Sequence, residues 1–345
     1  MNLNRVRTTI ALALAGLATV LLPHGTALAQ EKIRISLDTN ATHVRNKGTE
    51  MFAAELKKRT GNKIAVEVYP SAQLFRDRDI PKALRQNAIE MGIPGTWQLD
   101  GIEPNTAIQM LPMFYGVDAD TVHKIMDGKL GQFINKRMED RLKVKILGKW
   151  MDLGFQHFYS VSKPIAKYDD LKGMKIRFPG GSANAARIKV LGGSPTLIPW
   201  PDLPLALSQG VVDAVTTTHE STFTAKLWDS GLKYSFEDYQ YFGQYVPMVS
   251  LDFWNKQPKE VQDALTAAWD AVIGEQRKMA AQAQIDARDV LIKNGIKITG
   301  PSKAEIVAAR KRLMAVQNDL VKEMKIDADA VQLGLDELRA AKVEY

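Results

Sequence analysis

No cysteine occurs in the 345 residues, which excludes disulfides, thiolate nucleophiles and cysteine-type metal sites. A chain this long buries enough apolar surface to fold without such staples. Enzyme signatures are missing as well. The five histidines, His24, His43, His123, His157 and His219, form no His-x-x-x-His or His-Glu-x-x-His pair, so a zinc hydrolase motif is absent. There is no Gly-x-Ser-x-Gly elbow, no Walker loop and no Gly-x-Gly-x-x-Gly. Neighbouring acids such as Asp169 and Asp170 point apart on a strand, and in a turn they more often cap a helix. The +7 formal charge is interspersed, without a block of like charges, which argues against a nucleic-acid tail. No acidic cage is evident, so neither metal nor cofactor is expected.

Long apolar runs are confined to the start. Arg5 and Arg7 precede "IALALAGLATVLL", Pro23 and Gly25 break the run, and "ALA" before Gln30 is a small-x-small cleavage signal. The run is shorter than the ~20 residues of a membrane-spanning helix. Residues 1–29 are therefore read as a signal peptide cleaved after Ala29, and the mature protein as exported and not itself membrane-spanning. Removal of Arg5 and Arg7 brings the charge from +7 to +5.

In the mature chain, strand-like stretches alternate with helical ones. "KIRISLD", "KIAVEVYP", "KVKILGKW", "MKIRF" and "VDAVTTT" read as strands, with Ile64, Val66 and Val68 at period two. Residues 46–59 and "SANAARIKVLGG" read as helices, each stopped by a glycine. This order predicts a layered α/β architecture. Residues 258–293 contain no internal proline and only Gly274 as a glycine. One continuous helix there would run about 54 Å and bridge two lobes; two helices broken near Gly274 are the alternative.

The polar and aromatic candidates sit at strand ends, where open α/β sheets bind ligands. They are Asn40 with His43 after the first strand, Arg76 and Arg78 after the second, and Thr96 with Trp97 in "GIPGTWQL". "KIRFPGG" adds Arg177, Phe178 and Gly180, "IPWPD" adds Trp200, and "VDAVTTTHES" adds Thr217 and His219. Each has a plainer role: a strand-end arginine is commonly a solvated surface residue, a tryptophan packs, threonines form strands, and His43 and His123 suit helix faces.

The stretches "KIAVEVYPSAQL", "SKPIAKYDDLKGMKIRFPGG", "LGGSPTLIPWPDLPLALSQGVVDAV" and "VSLDFWNKQPKEVQDAL" resemble, in order and spacing, the solute-binding proteins of tripartite ATP-independent periplasmic (TRAP) transporters. The likeness covers nearly all of the mature chain. It implies a two-lobed periplasmic solute-binding fold with hinge strands and a long helix spanning both lobes. The expected boundaries are 30–153 plus 240–282 for lobe I and 154–239 plus 283–345 for lobe II. It also implies a periplasmic protein that captures an organic acid and delivers it to TRAP membrane subunits.

In that family the arginine ending the "KIR" strand holds the ligand carboxylate; here it is Arg177, whose planar fork suits a carboxylate. The glycine turn is expected to let ligand approach the backbone. Trp200 is expected to close over the ligand, and Thr96, Trp97 and Arg76 to border it. The chain departs from the family where many members carry a second arginine, here His157, and often an asparagine, here Thr217. His219 is expected to supply the missing donor if "TTTHE" stays extended. Trp97, Trp200, Phe178 and Tyr245 point to a monocarboxylate with an apolar or aromatic body. A ligand-sensing module for a membrane receptor, and an exported hydrolase or lyase using His219 and Glu220, are the competing readings.

Overall fold

The protein is described by a computed structural model over residues 31–239 and 241–345; the expected leader and its cleavage site lie outside the described residues. The first strand, Glu31–Ser36, pairs in parallel with Ile64–Tyr69 along its whole length, setting Ile33 beside Val66 and Ile35 beside Val68. Met91–Gly92, Met248–Ser250 and Val144–Ile146 complete a five-stranded sheet, the Met248–Ser250 strand running antiparallel to both neighbours. "KVKILGKW" thus supplies only a three-residue strand. Ile33, Ile35, Phe52 and Leu56 are fully buried in one core with the helix Val44–Arg59.

The second sheet has six strands, in the order Lys297–Thr299, Tyr234–Phe236, His157–Ser160, Ala214–Thr217, Lys175–Phe178, Ser194–Leu197. Between the lobes lies a ribbon, Met151–Phe155 antiparallel to Phe242–Tyr245. Each of its strands continues almost at once into a sheet: the first into His157–Ser160, the second into Met248–Ser250. That ribbon is the hinge.

One unbroken helix, Lys259–Lys293, runs along it, with Pro258 at its N-cap and Gly274 in its interior. At 35 residues it spans about 52 Å. Leu265, Ala268 and Trp269 enter the first lobe's core, and Leu291 enters a second-lobe cluster with Tyr159 and Val215. Its middle completes the ribbon's edge. Gln276 exchanges two bonds with the Asp152 backbone, both 2.9 Å, and Gln284 Nε2 donates to the Leu153 carbonyl at 2.7 Å. These amides satisfy ribbon groups that would otherwise be buried without partners. A β-carbon on Gly154, where φ is +124°, would lie 2.9 Å from Gln284 Nε2, so glycine permits that approach.

Lys297–Thr299 edges the second sheet and the helix Gln317–Met324 packs against the second-lobe helix Ser182–Val190, but Ala330 and Leu338 bury in the first lobe's core. The helix Ala328–Ala340 packs there against Ala119–Met126 and Lys129–Leu142. The chain thus crosses back at its end, because the apolar face of its last helix finds its partner on the first lobe.

Candidate functional site: a sealed cleft around Arg177

Arg177 extends from the strand Lys175–Phe178, which lies between Ala214–Thr217 and Ser194–Leu197. Its side chain is 1% exposed. Nε donates to the Ile198 carbonyl at 2.9 Å and Nη1 reaches the Thr216 carbonyl at 3.5 Å, while Nη2 has no partner among the described residues. The guanidinium carbon lies 5.5 Å from the centre of the Trp200 ring. Burial pulls the group down to about 9, with Asp38 opposing the shift. It therefore stays charged at neutral pH, without a bonded counter-ion.

Arg177, Trp97, Trp200, Thr217, Gln156 and Asp38 border one small cavity, about 30 Å³, at the lobe junction. That is room for roughly two water molecules. Trp97, whose ring lies tilted at 59° to Tyr245 with centres 5.5 Å apart, has a buried Nε1 with no partner among the described residues. Two donors without partners among the described residues, Arg177 Nη2 and Trp97 Nε1, thus belong to residues lining the same cavity, one from each lobe.

The opposite wall carries residues that sequence reading did not single out as a site. Arg45 is fully buried; Nη1 donates to Asp38 at 2.9 Å, and Nη2 donates to Asp77 and to the Ile93 carbonyl at 2.6 Å. Tyr245 covers it, the ring centre 4.3 Å away. Burial works against its charge, but Asp77, Tyr245 and Asp38 outweigh that and raise it above the ordinary value. Burial first and the Asp77 charge second push the Asp38 carboxyl up to about 7, against the pull of Arg45 and Arg177.

Four expected site residues lie outside that cavity's lining but belong to the lobe junction. Arg76 forks onto Asp202 across the lobes at 2.6 and 3.1 Å, and Asn40 Nδ2 donates to the Thr224 carbonyl at 2.8 Å. Thr96 is buried, its hydroxyl unpaired. Gly180 and Gly181 lie against the first lobe. A β-carbon on Gly181, at φ +84°, would meet the Trp97 carbonyl at 2.4 Å, and one on Gly180 the Gln98 side chain at 2.4 Å. The turn admits the first lobe's backbone. Beside it, Asp100 accepts from Ser182 Oγ at 2.9 Å and Ala183 N–H at 3.0 Å, so the first lobe supplies the cap of the helix Ser182–Val190. His43 is the N-cap of the helix Val44–Arg59 and reaches Ser221 Oγ at 2.9 Å.

Three expected residues are elsewhere. Phe178 packs in the second lobe's core with Ile176 and Phe236. His219 is not on an extended strand: Thr218 caps a helix, His219–Thr224, by accepting from Ser221 N–H at 3.2 Å, and that turn redirects the imidazole. Its Nδ1 meets Tyr159 Oη at 2.5 Å and its Nε2 Glu237 at 2.9 Å. His157 borders the same separate cavity as His219; the residue facing Arg177 is its neighbour Gln156. Among the described residues no His, Asp or Glu cluster is arranged to hold a metal ion, and no helix is long and apolar enough to cross a membrane.

Comparison with known proteins identifies the architecture. The signature of the bacterial extracellular solute-binding proteins, family 7 (DctP), matches residues 35–324. The C4-dicarboxylate-binding periplasmic protein DctP of Rhodobacter capsulatus is 27% identical over 252 residues, covering 70% of this chain and 74% of its own. A TRAP periplasmic solute-binding protein of Ralstonia eutropha H16, solved with (S)-2-acetolactate, is 25% identical with a TM-score of 0.81 over 90% of this chain and 99% of that one. The sugar acid binding protein DctPAm of Advenella mimigardefordensis, solved with galactonate, superposes with a TM-score of 0.84 at 20% identity, over 90% and 98%. These are transport proteins, which removes the hydrolase reading. The two sheets, the hinge ribbon, the long helix and this signature together place the chain in bacterial extracellular solute-binding protein family 7, the periplasmic binding proteins of TRAP transporters.

Proposed function

We propose that the protein captures an organic monocarboxylate by an ion pair with Arg177 and presents it to TRAP membrane subunits. The family accounts for the coarser part, a periplasmic binding protein for small organic acids. One observation carries the finer part: a buried guanidinium with an unused Nη2 bordering the interlobe cavity. A buried charge without a partner is strongly unfavourable, and a ligand carboxylate supplies that partner.

The charge balance of the walls favours one carboxylate rather than two. The neighbouring Arg45 is already bonded to Asp38 and Asp77, and Arg76 to Asp202. Those acids repel a second anionic group, and Trp97, Trp200 and Tyr245 offer ring surfaces to an apolar or aromatic body. The relatives alone do not decide this, since one is named for C4-dicarboxylates and another was solved with 2-acetolactate. Some 30 Å³ is too small for any organic acid, so the lobes part to admit it. The hinge ribbon provides that movement.

Native mass spectrometry of the purified protein identifies the co-purifying acid, and calorimetry measures its affinity. Arg177→Ala is expected to weaken binding about 100-fold, the loss of two charge-assisted bonds at ~1.5 kcal/mol each. Arg177→Lys keeps the charge, loses the fork and falls between. Unchanged affinity in Arg177→Ala rejects the ion pair; tighter binding of dicarboxylates than of monocarboxylates of equal length rejects the monocarboxylate.

A further inference from the structure

A second and larger cavity, about 560 Å³, lies between the middle of the long helix and the hinge ribbon. Ribbon residues divide between the two cavities: Leu153 and Tyr245 border the Arg177 cleft, whereas Gly154, Phe155 and Phe242 border this one. Its volume falls within the ~300–1,000 Å³ typical of small-molecule sites. Its walls come from both lobes, with His123 from the first and His157 and Tyr239 from the second.

The middle of the cavity is aromatic and its helical side is concave. Phe155 meets Phe242 and Tyr239 edge to face, at 5.0 and 5.1 Å between ring centres. Opposite them stand Gly274, Ala280 and Ala281; a β-carbon on Gly274 would meet nothing within 4 Å. The buried charges around it are already engaged, and Asp120 at its rim is exposed. Arg277 forks onto Asp127 at 2.8 and 2.9 Å, Arg288 onto Glu237 at 2.5 and 3.3 Å, and His123 pairs with Asp152 at 2.7 Å. Lys278 is solvated.

His157 offers a buried polar atom to this cavity. His157 is 3% exposed, and its Nδ1 accepts the Tyr239 N–H at 3.4 Å, which places the ring proton on Nε2. No hydrogen bond to Nε2 exists among the described residues. Burial, with His219 and Arg288 adding to it, holds the imidazole neutral, well below its ordinary range.

We propose that this cavity is a second ligand site, taking a neutral aromatic molecule whose hydrogen-bond acceptor meets His157 Nε2. An anion finds no unengaged buried cation there, and a cation faces Arg277 and Arg288. A neutral ring with a carbonyl or ether oxygen meets the three aromatic edges and the buried His157 donor. The site does not depend on the Arg177 reading, because the two cavities share none of the residues on which either is argued.

The test uses 4-fluoroacetophenone as probe and ¹⁹F NMR on the full mature chain. Saturable line broadening is expected for the wild type and for Arg177→Ala. Gly274→Phe fills the concavity from an unobstructed helical position and is expected to abolish it; Ala281→Trp blocks the same space should the first variant misfold. His157→Leu is expected to weaken binding about fivefold, one neutral hydrogen bond of ~1 kcal/mol. The proposal is overturned by absence of saturable binding, by binding that survives both filling variants, or by binding lost in Arg177→Ala, which would place the probe in the cleft.

Discussion

Two buried arginines face each other across the lobe junction and live in opposite electrostatic worlds. Arg45, on the first lobe, is held by two carboxylates and a carbonyl and covered by Tyr245. Arg177, on the second, has two carbonyls and an idle Nη2. Burial is complete in both cases, yet one guanidinium is pushed up and the other pulled down to about 9. The difference lies in the partners. Arg45 is paired with two carboxylates although its Nε has no partner among the described residues, whereas Arg177 has no carboxylate bonded to it, which is the basis of the anion proposed for it.

The comparison breaks if the two arginines respond alike to removal. The largest effect is expected at Arg45: Arg45→Met strands Asp38 and Asp77 together without a counter-charge, lowering stability by about 3–5 kcal/mol in urea unfolding. Arg177→Met removes an uncompensated charge instead, so the ligand-free protein is expected to gain about 1–2 kcal/mol in the same measurement. A loss at position 177 as large as that at 45 would show both to be structural.

Asp38 sharpens the contrast through pH. Its folded carboxyl, at about 7 against an ordinary 3.8, keeps a proton that the unfolded chain has released. Between roughly pH 4 and 7 the folded state therefore binds more protons, and the Asp38 contribution to stability declines as pH rises through that window. Asp38→Asn is expected to flatten that part of the stability profile. A profile indistinguishable from wild type would contradict the buried environment assigned to the carboxyl. The smallest effect belongs to the exposed Arg76–Asp202 bridge. Asp202→Ala is expected to cost at most about 1 kcal/mol of lobe closure, a few-fold in ligand affinity by calorimetry, and to lose that difference in high salt.

Much of the scaffold was legible. Pro258 and the proline-free run after it announced the long helix, which Gly274 does not break because burial on both lobes outweighs a glycine's ~1 kcal/mol. Arg177 was legible as a strand-end arginine before a glycine turn, and the cleft brings it together with Trp97, Trp200 and Thr217. The histidines were misplaced for physical reasons. Successive residues of a strand face opposite ways, so nothing local distinguishes Gln156 from His157 as the one toward the cleft. At His219 a signal existed: Thr218 is of a type that caps helices, and the cap it makes to the Ser221 N–H overrides the extended threonine run. Arg45, Asp38 and Asp77 lie on three separate segments that meet only through the tertiary fold.

The Arg177 fork is oriented before any solute arrives, Nε tied to Ile198 and the ring of Trp200 alongside it. Little of the freezing of a long side chain remains to be done at capture, which favours slow release once an acid is held. Under the ion pair proposed above, the narrowness of the cleft sets the pace of uptake: solute reaches the fork only while the lobes stand apart. Capture rates should therefore level off at high solute concentration, at the frequency with which the lobes swing apart.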